Sequence, residues 1–182
     1  MKIPIGLDRR TNEIRLIDDV ERGLKCDCVC PGCLSPLVAK KGTILTDHFS
    51  HANGNPTDSC RETALHLMAK YWLLENKELR LPPFTVCSEG VSRLDEPFGE
   101  AIYVFREVST LEGIEDEKYL REFNIQPDLL CTIEMFGRKH NLAIEIAVTH
   151  KVDDEKRDKI LDSNLNMVEI DMAHLLHEDT WA

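Results

Sequence analysis

The chain has 182 residues, a hydrophobic fraction of 42% and a formal net charge of -11, enough to bury one core with or without a small appendage. Residues 1 to 60 carry eight acidic and eight basic side chains, whereas residues 61 to 182 carry 25 acidic against 14 basic. So acidic a protein is not steered to nucleic acid by its overall field, and it has no apolar run long enough to span a bilayer. The opening "MKIPIGLDRR" turns polar before a signal-like apolar region forms, so a cytoplasmic protein without membrane contact is expected. Seven cysteines in such a setting point to metal binding or burial rather than disulfides.

Residues 3 to 7 and 14 to 17 read as two short strands around the turn "DRRTN". In "KCDCVCPGCLSPLVAKKG", Cys26, Cys28, Cys30 and Cys33 fall within eight residues. Cys30-Pro-Gly-Cys33 is a CxxC knuckle, a spacing that lets two thiolates grip one tetrahedral Zn²⁺. A redox dithiol would follow a strand and open a helix, but Pro36 follows too closely for a helix to start there. His51 and Cys60 complete the expected ligand set of Cys30, Cys33, His51 and Cys60. His48 is the leading substitute, and Cys26 and Cys28 compete for the first pair because CxC and CxxC spacings overlap.

"SCRETALHLMAKYWLLENKEL" predicts a helix over 60 to 80. Ser59 and Glu62 have capping-box spacing, Ala64, Leu65, Met68, Ala69, Trp72 and Leu73 form an apolar stripe, and Pro82-Pro83 closes it. Glu62, His66 and Lys70 recur at one-turn intervals on one face. Strands are expected at 84 to 87 and 101 to 108, then a short helix or exposed loop at 115 to 123. Two more strands, 128 to 134 and 142 to 149, flank the turn "FGRKHN". An amphipathic helix follows in "DDEKRDKILDSNL", with Asp153, Asp154 and Glu155 at its N-terminal dipole end, and "MVEIDM" is the last strand. This order predicts an α/β core with a mixed sheet. The expected division is a strand hairpin and zinc module at 1–58, then the core at 59–182.

Glu145 sits inside the apolar run "AIEIAV", where an unpartnered charge is costly. Ile144, Ile146 and Val148 share one strand face, and Glu145, Ala147, Thr149 and Lys151 the other. Asp128, behind Pro127, opens the neighbouring strand. Two carboxylates at close range raise each other's pKa or hold a divalent cation. Blander roles compete: Asp128 as a strand cap, Glu145 as a surface glutamate, Glu62 as a capping-box member and His66 as a packed helix histidine. His150 reads as structural, Cys87 and Cys131 as small buried hydrophobes, and Lys40-Lys41 and Arg138-Lys139 as loop charges able to meet phosphates if the partner is nucleic acid.

"PDLL" followed by a strand turn and "AIEIAVTHKV" resembles the core of the PD-(D/E)xK nuclease superfamily. With "CPGCLSPLVAKKG", "DHFSH" and "ETALHLMAK" ahead of it, the chain resembles the nuclease-like relatives of the competence protein CoiA over roughly residues 26 to 171. The resemblance implies a restriction-endonuclease-like mixed-sheet core with flanking helices. It implies Mg²⁺ or Mn²⁺ held by Asp128 and Glu145 with help from Glu62, His66 and Lys70 lining the same cleft, and phosphodiester hydrolysis in DNA by metal-bound water. The departure is Ala147, where the superfamily places Lys and relatives of the competence protein often Gln. Lys151 lies too far along the strand to replace it, whereas Lys70 or His66 could reach in from the helix. Two functions follow: a metal-dependent nuclease with weak non-specific DNA binding, or a zinc-stabilised, catalytically silent nuclease fold that binds a protein or nucleic-acid partner.

Overall fold

The computed structural model describes residues 2–54, 57–82, 84–91, 97–104, 108–135, 137–152, 154–163 and 165–176. β1 (Ile5–Asp8) and β2 (Ile14–Leu16) form the expected antiparallel hairpin, and β3 (Cys28–Val29) pairs along the other side of β1. Gly6 permits that approach, since a Cβ there would lie 2.9 Å from the Cys28 Cβ. β4 (Leu37–Lys40) pairs antiparallel with β5 (His48–His51), Leu37 opposite His51 and Lys40 opposite His48. Single bridges from Ile3 to Phe49, Gly23 to Ala39 and Val29 to Pro36 tie this hairpin to the first sheet. Ile3, Ile5, Leu37 and Phe49 are fully enclosed in a small core with Cys28 and Cys30.

α1 (Asp58–Asn76) joins that core to a second one. Cys60 and Ala64 pack into the first, Leu65, Ala69 and Leu73 into the second, and Met68 touches both. The capping box does not form. Thr57 is the N-cap, in extended conformation, and Ser59 lies inside the first turn, so Glu62 has no capping role. The helix also stops short of the expected residue 80. Lys77 turns left-handed (φ 54) and its N–H donates to the Leu73 carbonyl, ending the helix before the prolines. Trp72 is 53% exposed rather than core, because the buried stripe in this half of the helix runs through Ala69 and Leu73 and leaves Trp72 at its margin.

Beyond α1, β6 (Glu78–Leu79) pairs with β9 (Ser109–Thr110), while β7 (Phe84–Val91) and β8 (Pro97–Val104) form an antiparallel hairpin. Residues 105–107 of the expected strand and the Cys87 side chain lie outside what is described. The main sheet runs β10 (Glu112–Asp116), β11 (Leu129–Met135), β12 (Arg138–Ala147), β13 (Asn166–Asp171) in that spatial order. Its first three strands are antiparallel, whereas β12 and β13 are parallel and joined through α2 (Asp154–Asp162), the crossover that parallel neighbours require. The result is a mixed sheet with flanking helices.

Of the span expected as helix or loop at 115 to 123, residues 117–123 are the exposed loop and the first two belong to β10. Its acidic, exposed edge residues show no alternation beyond the half-buried Ile114. Most of "FGRKHN" is strand as well. The hairpin closes with Gly137 at φ 72 and Met135 opposite Arg138, a positive-φ glycine of the kind tight hairpin turns favour. β12 ends at Ala147, two residues early. His150 therefore leaves the strand alternation and lies exposed instead of facing the core. Ile144, Ile146 and Val148 do face it, packed with Leu65, Leu129 and Ile133, and Cys131 is buried among them.

Candidate metal centre and acidic cleft

The Cys30–Cys33 turn is closed by its backbone: the Leu34 N–H donates to the Cys30 carbonyl and the Cys30 N–H to that of Ser35. The N-terminus of α1 rests directly on it. A Cβ on Gly32 would lie 2.7 Å from the Cys60 Cα, so glycine lets the helix deliver Cys60 to the knuckle. β5 delivers His51 opposite Leu37, at the end of the β4–β5 ladder nearest the knuckle. One ligand atom from each of Cys30, Cys33, His51 and Cys60 lies within 4.8 Å of all the others, with Cys33 Sγ 3.3 Å from His51 Nε2.

Three thiols and an imidazole are the donor set of a closed structural zinc site. Burial pushes the Cys30 thiol up to about 12. Burial acts the same way on Cys33, but hydrogen bonding with Ser35, His51 and Cys60 outweighs it and brings that thiol down to about 6. The other ring nitrogen of His51 is buried without a partner. A cation at the centre of these four groups would hold the Cys30 thiolate that burial otherwise keeps protonated, which couples metal binding to folding. The competing ligands are engaged elsewhere. His48 Nδ1 contacts the Thr46 carbonyl at 2.8 Å, Cys26 donates to the Leu37 carbonyl, and Cys28 donates to that of Cys26.

The expected acidic residues lie along the junction of α1, β11, β12 and α2, each with its own partners. Asp128, just before β11, accepts a 2.8 Å hydrogen bond from the Ile146 N–H and lies 3.0 Å from His66 Nε2. Burial acts to raise its pKa, but the bonds from His66 and the Ile146 N–H outweigh it and leave it lowered. Glu145 is buried, and Lys156 from α2 brings Nζ to 2.6 Å from its Oε1. Burial raises the Glu145 pKa despite that lysine. Glu62 accepts a short hydrogen bond from the Thr149 hydroxyl and has His150 Nδ1 at 3.6 Å. Glu145, Ala147, His150, Lys151 and Lys156 line a cavity of about 170 Å³.

Lys70, expected to reach the acid pair, points elsewhere. It is buried, with Nζ 2.5 Å from Asp116 and 2.9 Å from Glu117 at the end of β10. Burial opposes its charge, yet these two partners outweigh it and raise its pKa. Lys151 reaches Asp171 at 3.4 Å. Lys156 is the cation that sequence reasoning missed. Its signal was its place in the first turn of α2, where the helix dipole disfavours a positive charge. Among the described residues the carboxylates do not close into a metal-ligating group; the one such group is the Cys/His cluster.

Residues 18–61 match the family model for the N-terminal domain of competence protein CoiA. This segment contains all four members of the Cys/His cluster and ends at the first turn of α1. No curated protein and no solved structure matches the chain.

Proposed function

We propose that this chain is a zinc-stabilised module on a nuclease-like α/β core that binds a partner and does not cut one. The observation that carries this reading is the separate engagement of its acids: Asp128 by His66 and the Ile146 N–H, Glu145 by Lys156, and Glu62 by Thr149. Acids each given their own hydrogen-bond or ion-pair partner have less need of a shared cation. Ala147, 4% exposed, offers no donor where the resembling nucleases carry a lysine or glutamine. Zinc serves here to hold a segment whose own core is small.

A second reading, metal-dependent hydrolysis of DNA, draws support from the order α1, β10, β11, β12, α2, β13. Asp128 just before β11 and Glu145 on the adjoining β12 are what this reading rests on, with Lys156 beside Glu145 as a donor in place of residue 147. On this reading Asp128, Glu145 and Glu62 would hold Mg²⁺ or Mn²⁺, which would supply an activated water and charge neutralisation. A Mn²⁺ titration of zinc-loaded protein against single- and double-stranded DNA at low salt decides between the two. The expected result is no cleavage above the level of Glu145→Ala. Cleavage by wild type that Asp128→Ala and Glu145→Ala abolish would overturn the binding-module reading.

A further inference from the structure

The β4–β5 hairpin carries its zinc ligand His51 at one end and a loop, residues 41–47, at the other. At the loop tip Ile44 is 93% exposed and Leu45 66%, the only consecutive pair among the exposed large apolar residues described. Around them Arg22, Lys40, Lys41 and His48 line a concave cavity of about 650 Å³. Arg22 and Lys40 have no carboxylate partner among the described residues. Lys41 donates to the Asp18 carbonyl at 3.3 Å. The loop's own acid, Asp47, is engaged as acceptor for the Gly42 N–H. A basic hollow with an aliphatic tip is therefore built within residues 1 to 60, whose charges sum to zero, and not within the acidic remainder of the chain.

We infer that this hairpin is a docking element for duplex DNA, with Arg22, Lys40 and Lys41 meeting phosphates and Ile44 and Leu45 contacting the groove as an apolar wedge. This rests on the binding-module reading and names its partner. The concavity fits a phosphodiester chain, whereas a bilayer surface would touch only the convex tip. Single strands are held chiefly by aromatic stacking platforms, and the cavity wall holds no Phe, Tyr or Trp. Aliphatic side chains inserted between base steps, flanked by cations, are instead a duplex device. The strand ladder of β4 and β5, four residues each, spans about 13 Å, so the zinc site braces the loop at short range and limits the ordering cost of binding.

The test is anisotropy of a labelled duplex with the full zinc-loaded chain, without added divalent cations, over a series of salt concentrations. Three phosphate contacts predict a slope of log affinity against log salt of about -2.7. Lys40→Gln/Lys41→Gln should reduce that slope by about 1.8. Ile44→Ser/Leu45→Ser should weaken binding about tenfold with the slope unchanged, as expected for lost apolar contact. Zinc content and circular dichroism establish that both variants stay folded, which their surface position favours. Equal binding by wild type and both variants overturns the inference. So does binding to phosphatidylserine vesicles that depends on Ile44 and Leu45 and that duplex DNA does not compete. If wild type binds no duplex, the hairpin assignment falls and the module reading stands with a protein partner. If the hairpin variants lose binding while wild type cleaves in Mn²⁺, the docking assignment stands and the silent-module reading falls.

Discussion

Replacing Lys156 by alanine leaves Glu145 buried with its closest cation gone. Removing one partner of a buried ion pair costs about 3–5 kcal/mol. Glu145 has only 10% of its side chain exposed, but Lys156 has 26%, so the expected cost is at or below the low end of that range, about 2–3 kcal/mol. The cost carries a pH signature. Burial holds the folded-state pKa of Glu145 above its ordinary value, so the native state binds that proton more tightly than the unfolded chain. The contribution favouring the fold is complete below the unfolded value and is lost as pH rises through the folded one. Without Lys156 the folded value rises further, so Lys156→Ala should be most destabilising near neutral pH and less so as the carboxyl takes up its proton. Urea unfolding of zinc-loaded protein at about pH 7 and about pH 5 measures the difference. Glu145→Gln in the Lys156→Ala background should restore most of the loss at neutral pH. A cost equal at both pH values, with no rescue by glutamine, would show that Lys156 acts through the packing of its stem and would refute the electrostatic argument.

Asp128 should behave oppositely, because its folded pKa is lowered: its contribution is present above the unfolded carboxylate value and lost as pH falls through the folded one. Asp128→Asn, which keeps an acceptor for the Ile146 N–H, should cost about 1–2 kcal/mol at neutral pH and nothing once the wild-type acid is protonated, read by unfolding across the acid range. Purified protein should carry about one Zn²⁺ per chain. Folded protein with none would reject the centre, and Cys30→Ser should disorder the β1–β5 region more than the main sheet. Gly32→Ala would press a methyl group on the Cys60 backbone, 2.7 Å away; it should destabilise by about 1–3 kcal/mol and speed loss of zinc to a competing chelator. Unchanged retention would show that the α1 N-terminus can shift without opening the centre.

Cys30-Pro-Gly-Cys33 with His51 and Cys60 downstream was legible as a tetrahedral donor set because ligand chemistry and turn propensity are local properties. The alternation of "AIEIAV" likewise determined which side of β12 the core would take, since side-chain direction follows from strand geometry alone. The stripe through Leu65, Ala69 and Leu73 marked the packed face of α1 for the same kind of reason. Where these periodicities ended was not legible. Lys77 stops α1 by turning left-handed, and the bend after Ala147 exposes His150; both depend on how the following chain is drawn into other pairings. Nor did spacing reveal which cation serves which acid. Lys70 shares a helix face with Glu62 and His66, yet β10 places Asp116 and Glu117 against it, while the parallel crossover swings α2 back so that Lys156 meets Glu145. Helix and strand periods are written residue by residue, but a charge pairs with whatever packing brings within a few ångströms, and only the tertiary structure decides that.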